Sequence, residues 1–208
     1  MSYPVSKRIL DESIAIVLLI VLSPVFAFLF VATGLAMAFR AEDRGPWLYR
    51  ERRISRGRAF DLLKFRTLRR EALAGVSGES HVRLLEADAS NLTWAGRKLL
   101  KPWYLDELPQ IWNVIRGDMS LVGPRPWPPS MVAIQVEKGL TYRNDFVAGW
   151  TGPAQVQKGV TETDAYTELD LAYAGVWLDG PALRAVGQDL RILWRTILVM
   201  ARGEGLKF

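Results

Sequence analysis

Hydrophobic and polar positions divide the chain into one long apolar segment followed by shorter amphipathic ones. Residues 13–39 contain no charged side chain and are rich in Ile, Val, Leu and Phe. As one continuous helix they would reach about 40 Å, which exceeds the hydrocarbon core of a bilayer, about 30 Å thick. The pattern therefore predicts a membrane segment in this part of the chain.

Three interpretations of this segment compete. A cleaved signal peptide would use Lys7 and Arg8 as its basic region and residues 36–38 as its cleavage site. The apolar run is too long for that, and the acidic Asp11 and Glu12 are in the wrong place. A single spanning helix and a re-entrant hairpin, which enters and leaves the membrane by one face, both remain.

The dipeptide Ser23-Pro24, near the middle of the run, affects that choice. Pro24 cannot donate a hydrogen bond to the carbonyl of Ile20, so the helix should kink or break there. Ser23 can satisfy a backbone group that the break frees, which lipid cannot do. Basic residues flank the run on both sides, so a hairpin obeys the positive-inside rule twice and a single span once. Because kinked spanning helices are common, the residues alone leave both interpretations open.

A strand is expected in the segment FDLLKFRTL at residues 60–68, after a turn at residues 55–58. Lys64 and Arg66 are two positions apart and would share one face of that strand. They form either a phosphate-binding face or a solvated basic rim beside anionic lipid.

The stretch LDELPQIWNVIRGDMSLVGPRP, residues 105–126, combines more chemistry than any other. Adjacent carboxylates, Asp106 and Glu107, precede a short run with apolar residues at helical spacing. A stiff turn at residues 123–126 then presents the guanidinium of Arg125. Together these features suit chemistry on a phosphate, but each has a purely structural explanation, such as Asp106 capping the helix.

The remaining pattern predicts three helices and a strand. One helix covers residues 131–138, a second begins near residue 168, and a third begins at Pro181. The strand covers residues 154–157. Residues 71–96 are read as a surface excursion with a helical turn at residues 81–87. The last helix carries one apolar stripe, expected to face the core, with an in-plane membrane-interface helix as the alternative: Leu190, Leu193, Trp194, Ile197, Leu198 and Ala201.

Composition restricts the chemistry. The 208 residues include no cysteine, which excludes a thiolate nucleophile and a cysteine metal site. The one histidine, His81, excludes a metal site built from a histidine cluster and disfavours a histidine-dependent triad. Catalysis must then use carboxylates, Lys/Arg or a hard metal ion. The net charge of +5 fits nucleic acid or anionic lipid equally well. The apolar run favours lipid, and we expect no nucleic-acid partner.

Several motifs, taken in order, resemble the bacterial sugar transferases that are monotopic phosphoglycosyl transferases. They are KRILD at residues 7–11, the apolar run with its Ser-Pro, LKFRT at 63–67, LDELPQ at 105–110, GDMS at 117–120, GPRP at 123–126, TG and AQV at 151–156, and ELD at 168–170. The combination of LDELPQ with GDMSLVGPRP is specific, although each piece alone is weak. The resemblance covers nearly the whole chain except residues 72–95.

This resemblance implies a fold and a location. The fold is an α/β catalytic domain, mostly helical with a small sheet, an N-terminal re-entrant membrane helix hairpin and amphipathic interfacial helices. Residues 1–40 would be the membrane anchor and residues 41–208 the transferase domain. That domain would lie on the cytoplasmic face of the bacterial inner membrane, in contact with membrane lipids.

The resemblance also implies the reaction. A phospho-sugar passes from a nucleoside-diphosphate sugar, usually a UDP-sugar, to polyprenyl phosphate, and UMP is released. Asp106 would be the covalent nucleophile, which predicts ping-pong kinetics. Glu107 would serve metal binding or the second step, and Mg²⁺ would be held by Asp106 and Glu107.

The phosphate and substrate contacts expected from the resemblance are Lys64, Arg66, Lys101, Arg125, Gln155 and Lys158. The chain departs from the family at residues 102–104 (PWY), where a small polar pair is usual, and at Pro153. Lys158 stands in for a terminal arginine, which puts the donor's identity in doubt. The departures motivate an alternative, an inactive membrane-anchored interaction protein, and the sequence leaves the sugar, the glycan pathway and a homodimer open.

Overall fold

The computed structural model describes residues 4–74, 82–157 and 163–201. These residues form mostly helices with two small two-stranded sheets, which agrees with the predicted mostly helical α/β class. The helices are α1 Val5–Val21, α2 Ser23–Phe39, α3 Arg70–Leu73, α4 Val82–Glu86, α5 Gln110–Ile115, α6 Pro129–Glu137, α7 Thr163–Asp179 and α8 Ala182–Ala201. The strands are β1 Leu48–Ser55, β2 Arg58–Phe65, β3 Ser120–Val122 and β4 Gly149–Thr151.

The apolar segment is broken where the Ser-Pro dipeptide predicts. Helices α1 and α2 meet at an angle of 57° across Leu22. Ser23 donates its hydroxyl to the carbonyl of Ile20 at 2.7 Å, the acceptor that Pro24 leaves without its usual amide partner. Within the described residues, no single helix is both long and apolar enough to cross a membrane, whereas the bent pair meets that criterion jointly.

Strands β1 and β2 form a hairpin around the turn predicted at residues 55–58, and β2 confirms the strand expected after that turn. Its two-residue loop has positive φ at Arg56 (50°) and Gly57 (68°), the backbone form that matches the twist of paired strands. Glycine adopts this conformation without strain, which is why the tight turn falls at this position. Strand β2 buries Phe60 and Leu62 on one face and Leu63 and Phe65 on the other.

The chain divides into two compact units. The first combines Met1–Ser13, Arg53–Phe60 and Val114–Phe208. The second combines Ile14–Arg52 and Asp61–Asn113. The predicted division separates a membrane anchor at residues 1–40 from a transferase domain at residues 41–208. The two compact units do not test that division, so it stays a prediction.

The first unit is built around the parallel pair β3 and β4, in which Ser120 lies opposite Gly149 and Val122 opposite Thr151. Helix α8 packs on this pair. The strand predicted at residues 154–157 is wrong, because those residues form a turn and the strand lies earlier, in β4. The helix expected near residue 168 begins earlier, in α7, while α6 and the start of α8 after Pro181 are confirmed.

Helix α8 presents its predicted apolar stripe outward. Trp194 is 60% exposed and Leu190 and Ile197 are exposed as well, so the expectation that this stripe faces the core is wrong. The buried side carries Ala185, Asp189 and Ile192. The stripe is therefore available to a second apolar surface, as the interfacial alternative requires.

In the second unit, aromatic side chains of α2 pack on the base of the hairpin. The ring of Phe30 lies 5.0 Å from that of Trp47 and 5.6 Å from that of Phe65, and the ring of Phe26 also contacts Phe65 at 6.0 Å. These contacts hold α2 against the end of β2, next to Lys64. Helix α4 falls within the turn predicted at residues 81–87, while His81 lies outside the described residues.

Candidate active site

The backbone around Asp106 is irregular on both sides. One π-helical turn, Gly96–Leu100, runs directly into a 3₁₀ turn, Lys101–Trp103. Tyr104 then adopts a left-handed conformation with φ of 54°, a costly state for a bulky residue. A second 3₁₀ turn, Leu105–Glu107, presents the two carboxylates. Such departures from regular helix concentrate at functional sites.

Asp106 is therefore not the cap of the helix that follows it. Helix α5 begins only at Gln110, directly after Pro109, so the alternative explanation of Asp106 as a cap of this helix is wrong. The short turn that holds it offers no extended helix dipole. Side-chain charges must set its electrostatics instead.

Two packing contacts fix the turns around this site. A Cβ on Gly96 would lie 2.3 Å from the carbonyl oxygen of Thr67, so only glycine permits this approach. Asn113 of α5 accepts from the amide of Leu63 at 2.9 Å and donates to the carbonyl of Asp61 at 2.8 Å. This pairing ties α5 to β2 beside Lys64.

Asp106 is buried, with 3% of its surface exposed. Lys101 lies 3.4 Å from its carboxylate oxygen Oδ2. The same ammonium group forms a shorter ion pair with Glu86, at 2.6 Å. Glu86 in turn accepts the hydroxyl of Thr67 at 2.9 Å. Lys101 is thus shared between two carboxylates and is fixed in place beside Asp106.

Lys64 provides a second positive charge in the same unit. Its ammonium lies 3.3 Å from Glu51 and 4.0 Å from Glu107. The adjacent carboxylates of Asp106 and Glu107 are therefore each paired with a different lysine. We call this set of six charged residues the lysine-carboxylate cluster: Glu51, Lys64, Glu86, Lys101, Asp106 and Glu107.

Burial raises the pKa of the Asp106 carboxyl to about 6, and the negative charge of Glu107 acts in the same direction. Lys101 and, after it, Lys64 oppose that shift. Burial alone would lower the pKa of Lys101, but the carboxylates of Asp106 and Glu86 outweigh it and raise that pKa. At neutral pH the site therefore holds an ionised, poorly solvated carboxylate beside a protonated lysine.

The cluster fits a magnesium ion only in part. Among residues 4–74, 82–157 and 163–201, no group of three or more His, Cys, Asp or Glu is arranged to hold a metal. Asp106 and Glu107 nevertheless offer adjacent hard oxygen donors. Mg²⁺ commonly binds through one or two carboxylates together with waters and substrate phosphates, so a magnesium ion at these two residues stays a prediction.

Arg66 has a structural role in this structure. It is only 3% exposed. Its guanidinium donates to the carbonyls of Pro46 at 2.8 Å and Leu68 at 2.7 Å, and to that of Asp43. Strand β2 ends at Phe65, so Lys64 and Arg66 do not share a strand face. With its donors committed to three carbonyls, Arg66 is not proposed further as a phosphate contact.

The other predicted contacts lie in the first unit or outside the described residues. Arg125 is exposed, and its guanidinium makes no hydrogen bond or ion pair with any residue that the structure describes. Gln155 donates to the carbonyl of Trp150 at 3.3 Å, and its buried Oε1 has no hydrogen-bond partner in the described part of the chain. Such an oxygen suits a donor group of a ligand. Lys158 falls within residues 158–162, which lie outside the description.

Glu86 and Glu51 were not anticipated from the sequence. Glu86 lies in the region read as a surface excursion, and its pairing with Lys101 spans a segment without hydrophobic periodicity. Glu51 belongs to β1, where it is buried among exposed basic neighbours. The sequence signal for Glu51 is a single acidic residue among the arginines of β1.

Comparison with known proteins identifies relatives along almost the full chain. The family model described as bacterial sugar transferase matches residues 2–203. The UDP-glucose:undecaprenyl-phosphate glucose-1-phosphate transferase of Caulobacter vibrioides is 35% identical over 201 residues, covering 92% of this chain and 68% of that protein. An uncharacterized sugar transferase of Bacillus subtilis, EpsL, is 32% identical over 203 residues, covering 97% and 90% respectively.

Other relatives are much longer than this chain. The galactosyl transferase CpsE of Streptococcus agalactiae is 30% identical over 216 residues, which are 99% of this chain and 44% of that protein. The chain thus spans less than half of some relatives and most of others.

Proposed function

The chain belongs to the bacterial sugar transferase family, and from this we propose that it transfers a sugar phosphate from a nucleoside-diphosphate sugar to polyprenyl phosphate. Relatives are named as undecaprenyl-phosphate sugar phosphotransferases, two of them with UDP-glucose as donor. For this chain we propose a UDP-sugar donor, an undecaprenyl phosphate acceptor and release of UMP. The product would start a membrane-bound glycan.

The observation that carries the proposal is the buried carboxylate of Asp106 beside Lys101, with Lys64 on its neighbour Glu107. A carboxylate that is poorly solvated yet ionised is a better nucleophile than one in water. Because the lysines are held by Glu51 and Glu86, the positive charges stay in place before a substrate arrives.

In the first step, a carboxylate oxygen of Asp106 would attack the phosphorus that bears the sugar. The bond from that phosphorus to the oxygen of the departing UMP breaks, and UMP keeps the electron pair. In the second step, a phosphate oxygen of the polyprenyl phosphate attacks the same phosphorus and the aspartyl–phosphorus bond breaks. Asp106 is restored, and both steps can use one phosphate pocket.

Positive groups are needed because the attacked phosphorus is surrounded by negative oxygens. Lys64 and Lys101 would neutralise charge near the nucleophile, and Arg125 would bind phosphate oxygens with its planar fork. Mg²⁺, held by Asp106 and Glu107, would supply further charge neutralisation. Glu107 would also help the acceptor phosphate lose its proton in the second step.

We further propose that the bent pair α1–α2 is a re-entrant anchor and that the domain lies on the cytoplasmic face of the membrane. The 57° bend and the outward apolar stripe of α8 support this arrangement. It would bring a soluble donor and a lipid acceptor to the same nucleophile.

The direct test measures UMP release across a panel of UDP-sugars with undecaprenyl phosphate, with and without EDTA. We expect release with at least one donor, and we expect EDTA to stop it. We also expect labelled UMP to exchange into the UDP-sugar without any acceptor, since the first step alone permits exchange. Failure of every donor would support the inactive alternative, and exchange that requires the acceptor would exclude the covalent intermediate.

A further inference from the structure

A buried arginine lies directly beside the turn that carries Arg125. Arg143 belongs to the 3₁₀ turn Tyr142–Asn144 and is 5% exposed. One of its terminal nitrogens donates to the main-chain carbonyl of Arg125 at 2.6 Å, and its Nε donates to Gln135 at 2.9 Å. A charged side chain is not buried at this depth without compensation.

Asp170 of α7 provides that compensation. Its carboxylate accepts from Arg143 at 3.1 Å and from the hydroxyl of Tyr142 at 3.1 Å. The guanidinium also lies over the ring of Trp127, 4.2 Å from its centroid. It also lies 4.9 Å from the ring centroid of Tyr142, so the guanidinium of Arg143 is fixed by three hydrogen-bond acceptors and two aromatic rings.

The rest of this turn is held by main-chain hydrogen bonds. The carbonyl of Pro124 accepts from the amide of Gly149 at 2.8 Å, and the carbonyl of Trp127 accepts from the amide of Ile54 at 3.0 Å. A Cβ on Gly123 would lie 2.6 Å from the carbonyl oxygen of Val147, so this approach requires glycine. The backbone of residues 123–127 is therefore fixed along its length, with Arg143 holding it at Arg125 itself.

We propose that Arg143 is a positioning residue for Arg125: it clamps the Arg125 carbonyl so that the exposed Arg125 guanidinium is pre-organised for the phosphates of the donor. The identity of that ligand rests on the proposed function. Fixing the main chain removes conformational freedom that phosphate binding would otherwise have to remove. Lysine cannot replace Arg143, because a single ammonium group does not reach all three acceptors and has no planar surface to stack on Trp127.

A double-mutant cycle tests whether Arg143 acts through Arg125. We expect Arg143→Lys to lower kcat/KM for the donor at least about tenfold when Arg125 is present, and less than about threefold in an Arg125→Ala or Arg125→Lys background. Arg184→Lys is the matched control, since Arg184 is exposed in α8 of the same unit. Equal losses by Arg143→Lys in both backgrounds would overturn the proposal.

Hydrogen exchange of residues 122–128 decides the same question without turnover. Arg143→Met should raise exchange in this segment selectively, while exchange in α8 stays at the wild-type level. If that variant does not fold because Asp170 is left unpaired, Arg143→Met with Asp170→Asn removes both charges and keeps the test. Unchanged exchange at residues 122–128 would contradict the clamp. Selective exchange without any UMP release would instead support the clamp and contradict the proposed function.

Discussion

The charge on Asp106 reflects two opposed effects. Burial favours the neutral acid and raises its pKa to about 6, whereas Lys101 favours the carboxylate. In the unfolded chain this carboxyl would ionise at its ordinary value of about 3.9. Between pH 3.9 and pH 6, roughly, the folded state therefore keeps a proton on Asp106 that the unfolded state has already lost. The ionised Asp106 therefore lowers the stability of the fold above pH 6.

We expect Asp106→Asn to abolish transfer and to stabilise the protein. Loss of the nucleophile should lower the rate at least about a thousandfold. At pH 7.5 the amide removes the cost of a buried charge, which we expect to raise the free energy of unfolding by roughly 1–3 kcal/mol. The measurements are UMP release and thermal unfolding in detergent.

The stability gain should depend on pH in a defined direction. It should be present above pH 6, shrink as the pH falls from about 6 towards the unfolded value of about 3.9, and vanish only below that value, where wild-type Asp106 is protonated in both states. Glu137→Gln, at an exposed position at the end of α6, is the matched control, because it removes one carboxylate that is not buried. A stabilisation that is equal at pH 4 and pH 7.5 would contradict burial as its cause.

Lys101 should set the acid limb of the pH–rate profile. Because transfer needs ionised Asp106, kcat/KM should fall as the pH drops through about 6. Lys101→Met removes the main group that lowers this pKa, so the acid limb should move to higher pH. Lys98→Met is the matched control, because Lys98 is exposed in the π-helical turn that directly precedes Lys101. If the acid limb lies at the same pH in the wild type and in Lys101→Met, Lys101 does not lower the pKa of Asp106 in the active enzyme.

Single residues differ in how far the sequence determines them. The acidic pair and both lysines were identified from motifs, and the structure places Lys101 and Lys64 within 4.0 Å of that pair. Arg66 was misread because its spacing from Lys64 does not reveal that β2 ends between them. Arg143 and Glu86 were missed, since their partners lie far away in sequence and no local pattern specifies such pairing.

Among the elements, the bent helix pair follows most directly from sequence. Helices α1 and α2 have 17 residues each. Each is therefore about 25 Å long, shorter than a hydrocarbon core of about 30 Å. Proline removes the amide bond, and Ser23 satisfies the freed carbonyl. Local chemistry alone determines this break, so it was predictable.

We expect single cysteines at positions 2 and 205 to be labelled from the same side of the membrane. A hairpin returns the chain to the face from which it entered, whereas a span does not. Replacing Ser23 with Ala and Pro24 with Leu should restore a continuous helix and place the two labels on opposite sides. Accessibility to a membrane-impermeant maleimide in inside-out and right-side-out vesicles is the measurement. Opposite labelling of the unsubstituted protein would replace the hairpin with a span.

Elements that depend on distant pairing were predicted less well. The strand expected at residues 154–157 lies instead in β4, whose partner β3 is remote in sequence. The start of α5 was expected too early because the left-handed Tyr104 and Pro109 interrupt the helical pattern. Periodicity identifies such segments but does not show which neighbour a strand will pair with or where a strained residue ends a turn.

For the molecule as a whole, the apolar stripe of α8 suggests how the protein contacts the membrane that carries the lipid acceptor. The stripe is exposed at Leu190, Trp194 and Ile197, and arginines at positions 191 and 195 flank it. Apolar residues with basic neighbours suit the boundary between acyl chains and anionic headgroups. A helix in that position would affect capture of the lipid acceptor but not of the soluble donor.

We therefore expect Trp194→Glu to separate the two half-reactions. Placing a charge on the stripe should lower kcat/KM for undecaprenyl phosphate in anionic vesicles by roughly tenfold, because membrane contact is weakened. Exchange of labelled UMP into the UDP-sugar without acceptor should change less than about twofold, since that step uses no lipid. Leu84→Glu is the matched control: Leu84 is 79% exposed, in α4 of the other unit. If Trp194→Glu slows exchange and transfer equally, the stripe supports the fold rather than the membrane contact.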